Sequence, residues 1–256
     1  MKRAGVWLGG ISWAGVGFLY APILVLIVFS FNASRLSASW QGFTWHWYDA
    51  LWHDEALRAA TANSFLVAGW STAIVMLLGV PAAMGLERVK LRSARVIEAT
   101  LLLPLVIPEV MMGVGLLLLF VTVRMPLSLT TVAIGHAAFN LPVAIAIVRA
   151  RLRKLDPRLE EAAHDLGASS WQTFRHITWP LLRPAVWGAG LLAFTISLDD
   201  FIVTFFVAGP GATTLPLKVY SMIKSGVSPE INALSSVLVL VSMMLVAVSV
   251  ALQRRS

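Results

Sequence analysis

Three carboxylates, Glu109, Asp199 and Asp200, stand inside apolar stretches that hold no Lys or Arg. An ionised group at the bilayer centre costs about 2.5–3.5 kcal/mol on the insertion scale, so an acid facing lipid alone is disfavoured. Two uses remain for such a group. It can draw a cation along a path through the membrane, or it can cap a broken helix and bond neighbouring backbone, as Glu109 directly after Pro108 is placed to do. Asp199 and Asp200 are adjacent, hence about 100° apart around a helix, and need not share one role. Counted from the inner ends of their spans, Glu109 is about 12 residues in and Asp199 about 15, similar depths at ~1.5 Å per residue. The three acids predict a cation-attracting substrate path. His136 lies in another apolar stretch with no second membrane histidine near it in sequence, so it reads as a hydrogen-bonded packing residue rather than a haem or metal ligand.

A second constellation is polar and suits mechanical coupling. Glu161-Ala162-Ala163 is followed by Gly167, Ile177 and Pro180, all inside residues 149–183 between two apolar segments. Asp156 can cap a helix starting at Pro157, a residue favoured at the first helical position, and Gly167 is a natural terminator. Ser169 or Ser170 can cap a second helix through Trp171, Phe174 and Ile177, closed by Pro180. Two short helices joined by a glycine turn would sit just outside the bilayer. Small Ala162 and Ala163 permit close approach of a partner, and Glu161 supplies a charged contact. The plainer alternative is a loop lying on lipid headgroups through its basic residues.

The elements that hold these groups follow from composition. The chain has 256 residues, 58% hydrophobic and 13% charged, with mean hydropathy +0.79. That balance describes an integral membrane protein, not a soluble domain. Six stretches approach or exceed the length of a membrane helix: about 9–30, 63–86, 97–123, 129–148, 184–208 and 231–252. The third carries Pro104 and Pro108 and is expected to bend. The run after Met1-Lys2-Arg3 is too long for a cleaved signal and reads as a retained first span. Of 20 Lys and Arg, only Arg35, Arg58, Arg124, Lys218 and Lys224 fall outside if the N-terminus is cytoplasmic, leaving fifteen inside. Both termini, and residues 149–183 with them, are therefore expected in the cytoplasm.

Net charge is +7, yet the charges cluster in short loops beside apolar spans, which argues against nucleic acid. The absence of cysteine excludes disulfides and thiolate metal sites. Trp40, Trp45, Trp47, Tyr48 and Trp52 between the first two spans read as an interfacial anchor, with an aromatic cage for a cation as the alternative. No phosphate-binding GxxxxGK[ST] loop occurs, and Gly209-Pro210-Gly211 reads as a turn. No catalytic constellation or internal repeat stands out. One membrane domain over residues 1–256, without enzyme activity or cofactor of its own, is the economical reading.

With these residues in view, the chain resembles the membrane subunits of ABC importers. The spacing over Glu161-Ala162-Ala163, Gly167, Ile177 and Pro180 resembles their EAA loop, which docks on a separate ATPase. Ser197-Leu198-Asp199-Asp200-Phe201, Gly209-Pro210-Gly211 and Leu215-Pro216-Leu217-Lys218-Val219-Tyr220-Ser221 look like the spermidine/putrescine branch, as does Gly226 through Leu234. Tyr20-Ala21-Pro22, Phe31-Asn32 and Pro104 through Glu109 extend the likeness over nearly the whole chain. Trp179 stands where the family pattern usually has leucine, and Glu109 where relatives commonly carry aspartate. The resemblance implies an all-α, six-helix type I importer permease fold in the bacterial inner membrane. It also implies a sister permease, an ATPase dimer that binds the ATP, a periplasmic polyamine-binding protein and alternating access. Two alternatives differ in cargo or in machine. A sibling importer would carry thiamine or another amine. An ion-coupled carrier would leave the EAA-like loop unexplained, and six spans without an inverted repeat are few for it.

Overall fold

A computed structural model describes the backbone of residues 2–34, 39–88, 94–226 and 228–253, and the side chains over most of that range. Lys2, Arg3, Arg35, Lys90, Arg92, Arg95, Arg254 and Arg255, which enter the charge count, lie outside the residues whose side chains are described. The described residues are almost wholly helical, as a chain in lipid must be to satisfy its own amides. Contacts divide the chain into two compact units, Met1–Arg58 with Val219–Ser256, and Ala59–Lys218.

In the first unit α1 (Lys2–Phe29) and α12 (Pro229–Gln253) are the long helices, and α2 (His46–His53) is a short one. The tryptophan-rich segment does two jobs there. Trp47 is buried, and its indole N–H donates to the Asn32 carbonyl at 2.8 Å, while Trp40, Trp45 and Trp52 are exposed. Phe31 stacks on Phe43 with centroids 5.2 Å apart and meets Trp45 edge-on at 4.9 Å, so these rings pack chiefly against one another.

The second unit is built around α6 (Leu129–Leu152). Its Ala137, Ala144, Ile145 and Val148 pack with Val75 and Ala83 of α3 (Glu55–Arg88) and with Leu182, Ala189 and Ala193 of α9 (Trp179–Asp199). The small side chains let helices approach closely where lipid offers no hydrophobic driving force between them. A second cluster joins Val132 and Ala133 of α6 to Phe120 of α5 (Glu109–Thr122) and to Val203 and Val207 of α10 (Ile202–Val207). Here α5 lies so close to α10 that a Cβ on Gly113 would sit 2.6 Å from the Phe206 ring.

Among the described residues, four helices are long and apolar enough to cross a membrane, and a broken pair would make a fifth. The described apolar part of the last helix, Pro229–Met244, is shorter than that. Two of the six expected spans are not continuous helices. The third breaks at Ile107–Pro108, where α4 (Ala94–Val106) and α5 meet with a bend of 113°. Pro108 lacks the N–H that would continue the ladder and starts α5 instead. The depth count that matched Glu109 to Asp199 therefore fails, because a straight rise does not carry through such a bend. The fifth span ends its long helix at Asp199, turns through Asp200 and Phe201, and resumes as α10.

Candidate functional site

Asp199 and Asp200 have opposite surroundings. Asp199 is the last residue of α9 and is exposed. The unpaired carbonyls at a helix C-terminus carry about half a negative charge, so an exposed carboxylate there deepens an already negative end. Half-helix ends of this kind coordinate cations in transporters.

The Asp200 side chain is buried, only 6% exposed. Its carboxylate accepts the N–H of Thr204 at 2.9 Å and of Val203 at 3.3 Å, capping the first turn of α10. It also accepts the Thr204 hydroxyl at 3.0 Å and meets His136 Nε2 at 2.9 Å. Because a carboxylate can only accept, Nε2 carries the hydrogen. The other ring nitrogen, Nδ1, hydrogen-bonds the Ser197 hydroxyl at 2.7 Å. His136 is fully buried and ties α6 to both sides of the break, through Ser197 on α9 and Asp200 before α10. Asp200 is thus held as a structural cap rather than left open to a path. Sequence reasoning weighed that use for Glu109 and missed His136 as the partner, because the pair is 64 residues apart. The available signal was a membrane histidine and a membrane acid with no Lys or Arg to share.

Glu109 is exposed at the first position of α5. It lines a cavity of about 210 Å³ at the bend between α4 and α5, together with Met112, Phe139, Asn140, Ile196 and Val203. The wall thus comes from both sides of the α9–α10 break. Among the described residues, no three histidine, cysteine or acidic side chains converge to hold a metal ion.

At the other end of the unit, the segment 149–183 forms two helical pieces around a glycine turn. The Asp156 side chain accepts the Arg158 N–H at 3.0 Å at the start of α7 (Arg158–Asp165), and Gly167 takes φ +83°, a left-handed conformation that favours glycine. Ser169 caps α8 (Ser170–Thr173) in a capping box with Gln172. Pro180 does not close the second helix. Ser170 through Asp199 forms one helical span of 30 residues that passes through a π-helical turn, Phe174–Thr178. The Trp179 N–H bonds Phe174 O there, and this wider turn precedes Pro180, whose ring would clash with the i−4 carbonyl of a regular helix.

Of the residues expected to couple, Glu161, Ala162, Gly167 and Pro180 are exposed, Ala163 is buried and Ile177 is half-buried. Leu166 and Trp171 flank the turn and are 89% and 65% exposed, an apolar surface beside the small residues. The acid that ties the loop to the unit is Glu160, not Glu161. Glu160 accepts from both Arg88, at the end of α3, and the Thr178 hydroxyl in the π turn. Beside it, Glu87 accepts from Arg153 at 3.0 Å and Arg149 at 3.2 Å, fastening α3 to α6. In each of these ion pairs the partners lie too far apart in sequence for any local motif to pair them.

Residues 75–256 match the family model of the binding-protein-dependent transport system inner membrane component. The chain is 40% identical over 241 residues to the spermidine/putrescine transport system permease protein PotC of Escherichia coli, covering 94% of this chain and 91% of that one. It is also 40% identical over 231 residues to the putrescine transport system permease protein PotI of the same organism, covering 88% and 82%. Among solved structures, a chain of a bacterial ABC transporter involved in the import of the acidic polysaccharide alginate superposes with a TM-score of 0.74. That match has 17% identity and covers 99% of this chain and 96% of the other.

Proposed function

The chain belongs to the binding-protein-dependent transport system inner membrane components and is the permease subunit of an ABC transporter, and we propose that it forms half of an import path for polyamines. The observation that carries this reading is Asp199, an exposed carboxylate at the negative end of α9, where the helix breaks. A flexible polyamine has cationic ends and no fixed shape, so carboxylates along a path suit it, while a periplasmic binding protein supplies most of the selectivity. Asp199 and Glu109 are the path acids. Asp200, held by His136, positions the break that presents Asp199.

Import is driven by a separate ATPase dimer, and a sister permease forms the other half of the path. Both termini and the loop at 149–183 face the cytoplasm, as the charge bias supports. Exposed Glu161, Ala162 and Gly167 meet the ATPase, and Ala163, Ile177 and Pro180 shape the helices behind them. The continuous helix from Ser170 to Asp199 supports a direct mechanical route. At ~1.5 Å per residue it spans about 45 Å, so a displacement at the loop reaches the break without crossing a flexible joint.

The test is ATP-dependent uptake of labelled putrescine and spermidine in host cells lacking this chain, with and without its re-expression. Uptake that falls on deletion and returns with the chain supports the reading. Unchanged uptake in a host without a redundant polyamine system assigns the importer another small solute.

A further inference from the structure

Between α3 and α9 a groove of about 500 Å³ opens on the surface of the second unit. Met76 belongs to its α3 side, and Trp179, Arg183, Trp187, Leu191 and Phe194 line it along α9. Gly190 helps to keep it open, since the atom of another helix nearest to where its Cβ would stand is Met76 Sδ, 3.5 Å away. Trp187 and Leu191 are 67% and 66% exposed, so the wall is reached from outside the helices. It carries one charge, Arg183, and no acid. Arg183 is exposed and makes no ion pair among the described residues.

The order of these groups along α9 matches a phospholipid. At ~1.5 Å per residue Phe194 lies about 16 Å from Arg183, close to the ~15 Å depth of one leaflet's hydrocarbon. Trp179 and Trp187 stand one helical turn to either side of Arg183, and tryptophan favours the headgroup level. The groove therefore offers a cation at the interface and an apolar channel leading inward from it. A free anion would leave the channel uncovered, and an uncharged lipid would leave Arg183 without a counter-charge. At about 100° per residue Arg183 and Trp187 are roughly 160° and 120° around α9 from Asp199, so the groove lies away from the side proposed for the path.

We propose that this groove binds an anionic phospholipid of the inner leaflet, its phosphate on Arg183 and one acyl chain against Trp187, Leu191 and Phe194. The assignment rests on the orientation proposed above, which sets Arg183 at the cytoplasmic surface. Basic pockets between membrane helices receive anionic headgroups on that side. It does not depend on the cargo. A lipid seated between α3 and α9 touches the helix that joins the 149–183 loop to the break, so the composition of the bilayer gains a route to the transport cycle.

The chain has no cysteine, so Leu191→Cys sets its single thiol in the groove wall. The complete importer, labelled there with bimane, is reconstituted into phosphatidylcholine vesicles. These contain increasing fractions of phosphatidylglycerol or phosphatidylcholine brominated on the acyl chains, which quench the label on contact. The expected result is half-maximal quenching at about fivefold less phosphatidylglycerol than phosphatidylcholine, the preference one cation confers at a headgroup. Arg183→Gln brings the two curves together, and Arg183→Lys, which keeps the charge, retains most of the preference. Equal quenching by both lipids overturns the proposal, because unselective boundary lipid does the same. Quenching by neither overturns it too, and assigns the groove to a protein surface such as the sister permease. A preference that survives Arg183→Gln removes the phosphate from Arg183. If that variant does not accumulate, the comparison of the two lipids on the otherwise unchanged chain decides. Orientation is read separately, from whether a membrane-impermeant reagent labels Glu161→Cys in intact cells. Labelling from outside removes the inner leaflet from the assignment, a result distinct from quenching curves that coincide.

Discussion

The two ends of the second unit use carboxylates in opposite ways. At the end that carries the loop 149–183 each structural acid is matched to a guanidinium: Glu87 to Arg149 and Arg153, Glu160 to Arg88. At the broken helices Asp200 is matched to an imidazole, a hydroxyl and two amides, and Asp199 and Glu109 lie exposed without an ion pair among the described residues. Near water, ion pairs fasten helices at little desolvation cost. Within the span, a Lys or Arg partner would quench the negative field that the proposed cationic cargo needs. The cap on Asp200 holds the break while Asp199 stays exposed beside it.

That contrast can be broken hardest at the loop end, at Gly167. Its φ of +83° lies far from the −65° a proline ring imposes, so Gly167→Pro must rebuild the turn between α7 and α8. We expect ATP-driven uptake to fall at least about a hundredfold in the proline variant, from misplacing a coupling element by an ångström or more. Gly167→Ala pays only for the left-handed conformation, about 1–2 kcal/mol, and retains partial uptake. Equal uptake in all three forms would remove the loop from the coupling route.

At the break, the informative pair is His136→Ala and Asp200→Asn. Removing one partner of a buried charged contact typically costs about 3–5 kcal/mol, because the other is left unsatisfied. Both variants should therefore lower the thermal midpoint of the purified transporter and reduce uptake. Their combination should be milder than the sum, since one network is being lost. Asp199→Asn tests the other side of the contrast. It should leave thermal stability unchanged and raise the KM for putrescine about tenfold, as loss of a charge-assisted contact would. A stability loss at Asp199 equal to that at Asp200 would erase the division between cap and path.

The same division explains what the sequence disclosed. Local signals were legible: the Asp156 and Ser169 caps, the glycine turn and the proline break all act within a few residues. The helical loop and the bend in the third span could be read for that reason, although a 113° break exceeds what proline spacing alone implies. Pro180 misled, because a π turn before it lets the helix continue, and nothing in a proline's neighbours announces that relief. The acids split along the same line. That Asp199 and Asp200 need not share one role followed from their adjacency, but which of them is held inside depended on His136, placed by the packing of α6 against α9. Glu160 was passed over for Glu161 since its partners, Arg88 and Thr178, come from other elements.

Glu160 gives the smallest and most discriminating test. Its contact with Arg88 is about one-third exposed on both sides, a setting where an ion pair contributes roughly 0–1 kcal/mol. Glu160→Gln keeps an acceptor for Thr178 and removes the charge facing Arg88. Thermal stability should hardly move. Uptake should nevertheless fall severalfold at saturating cargo with an unchanged KM, because Glu160 joins α7 both to α3 and to the π turn that leads into α9. Stimulation of ATP hydrolysis by the loaded binding protein should fall in step. The charge-swapped pair, Arg88→Glu with Glu160→Arg, should recover part of the loss if transmission uses this ion pair. If Glu160→Gln transports as the wild type does, the helix from Ser170 to Asp199 carries the displacement alone, and the clamp beside it serves only to hold the fold.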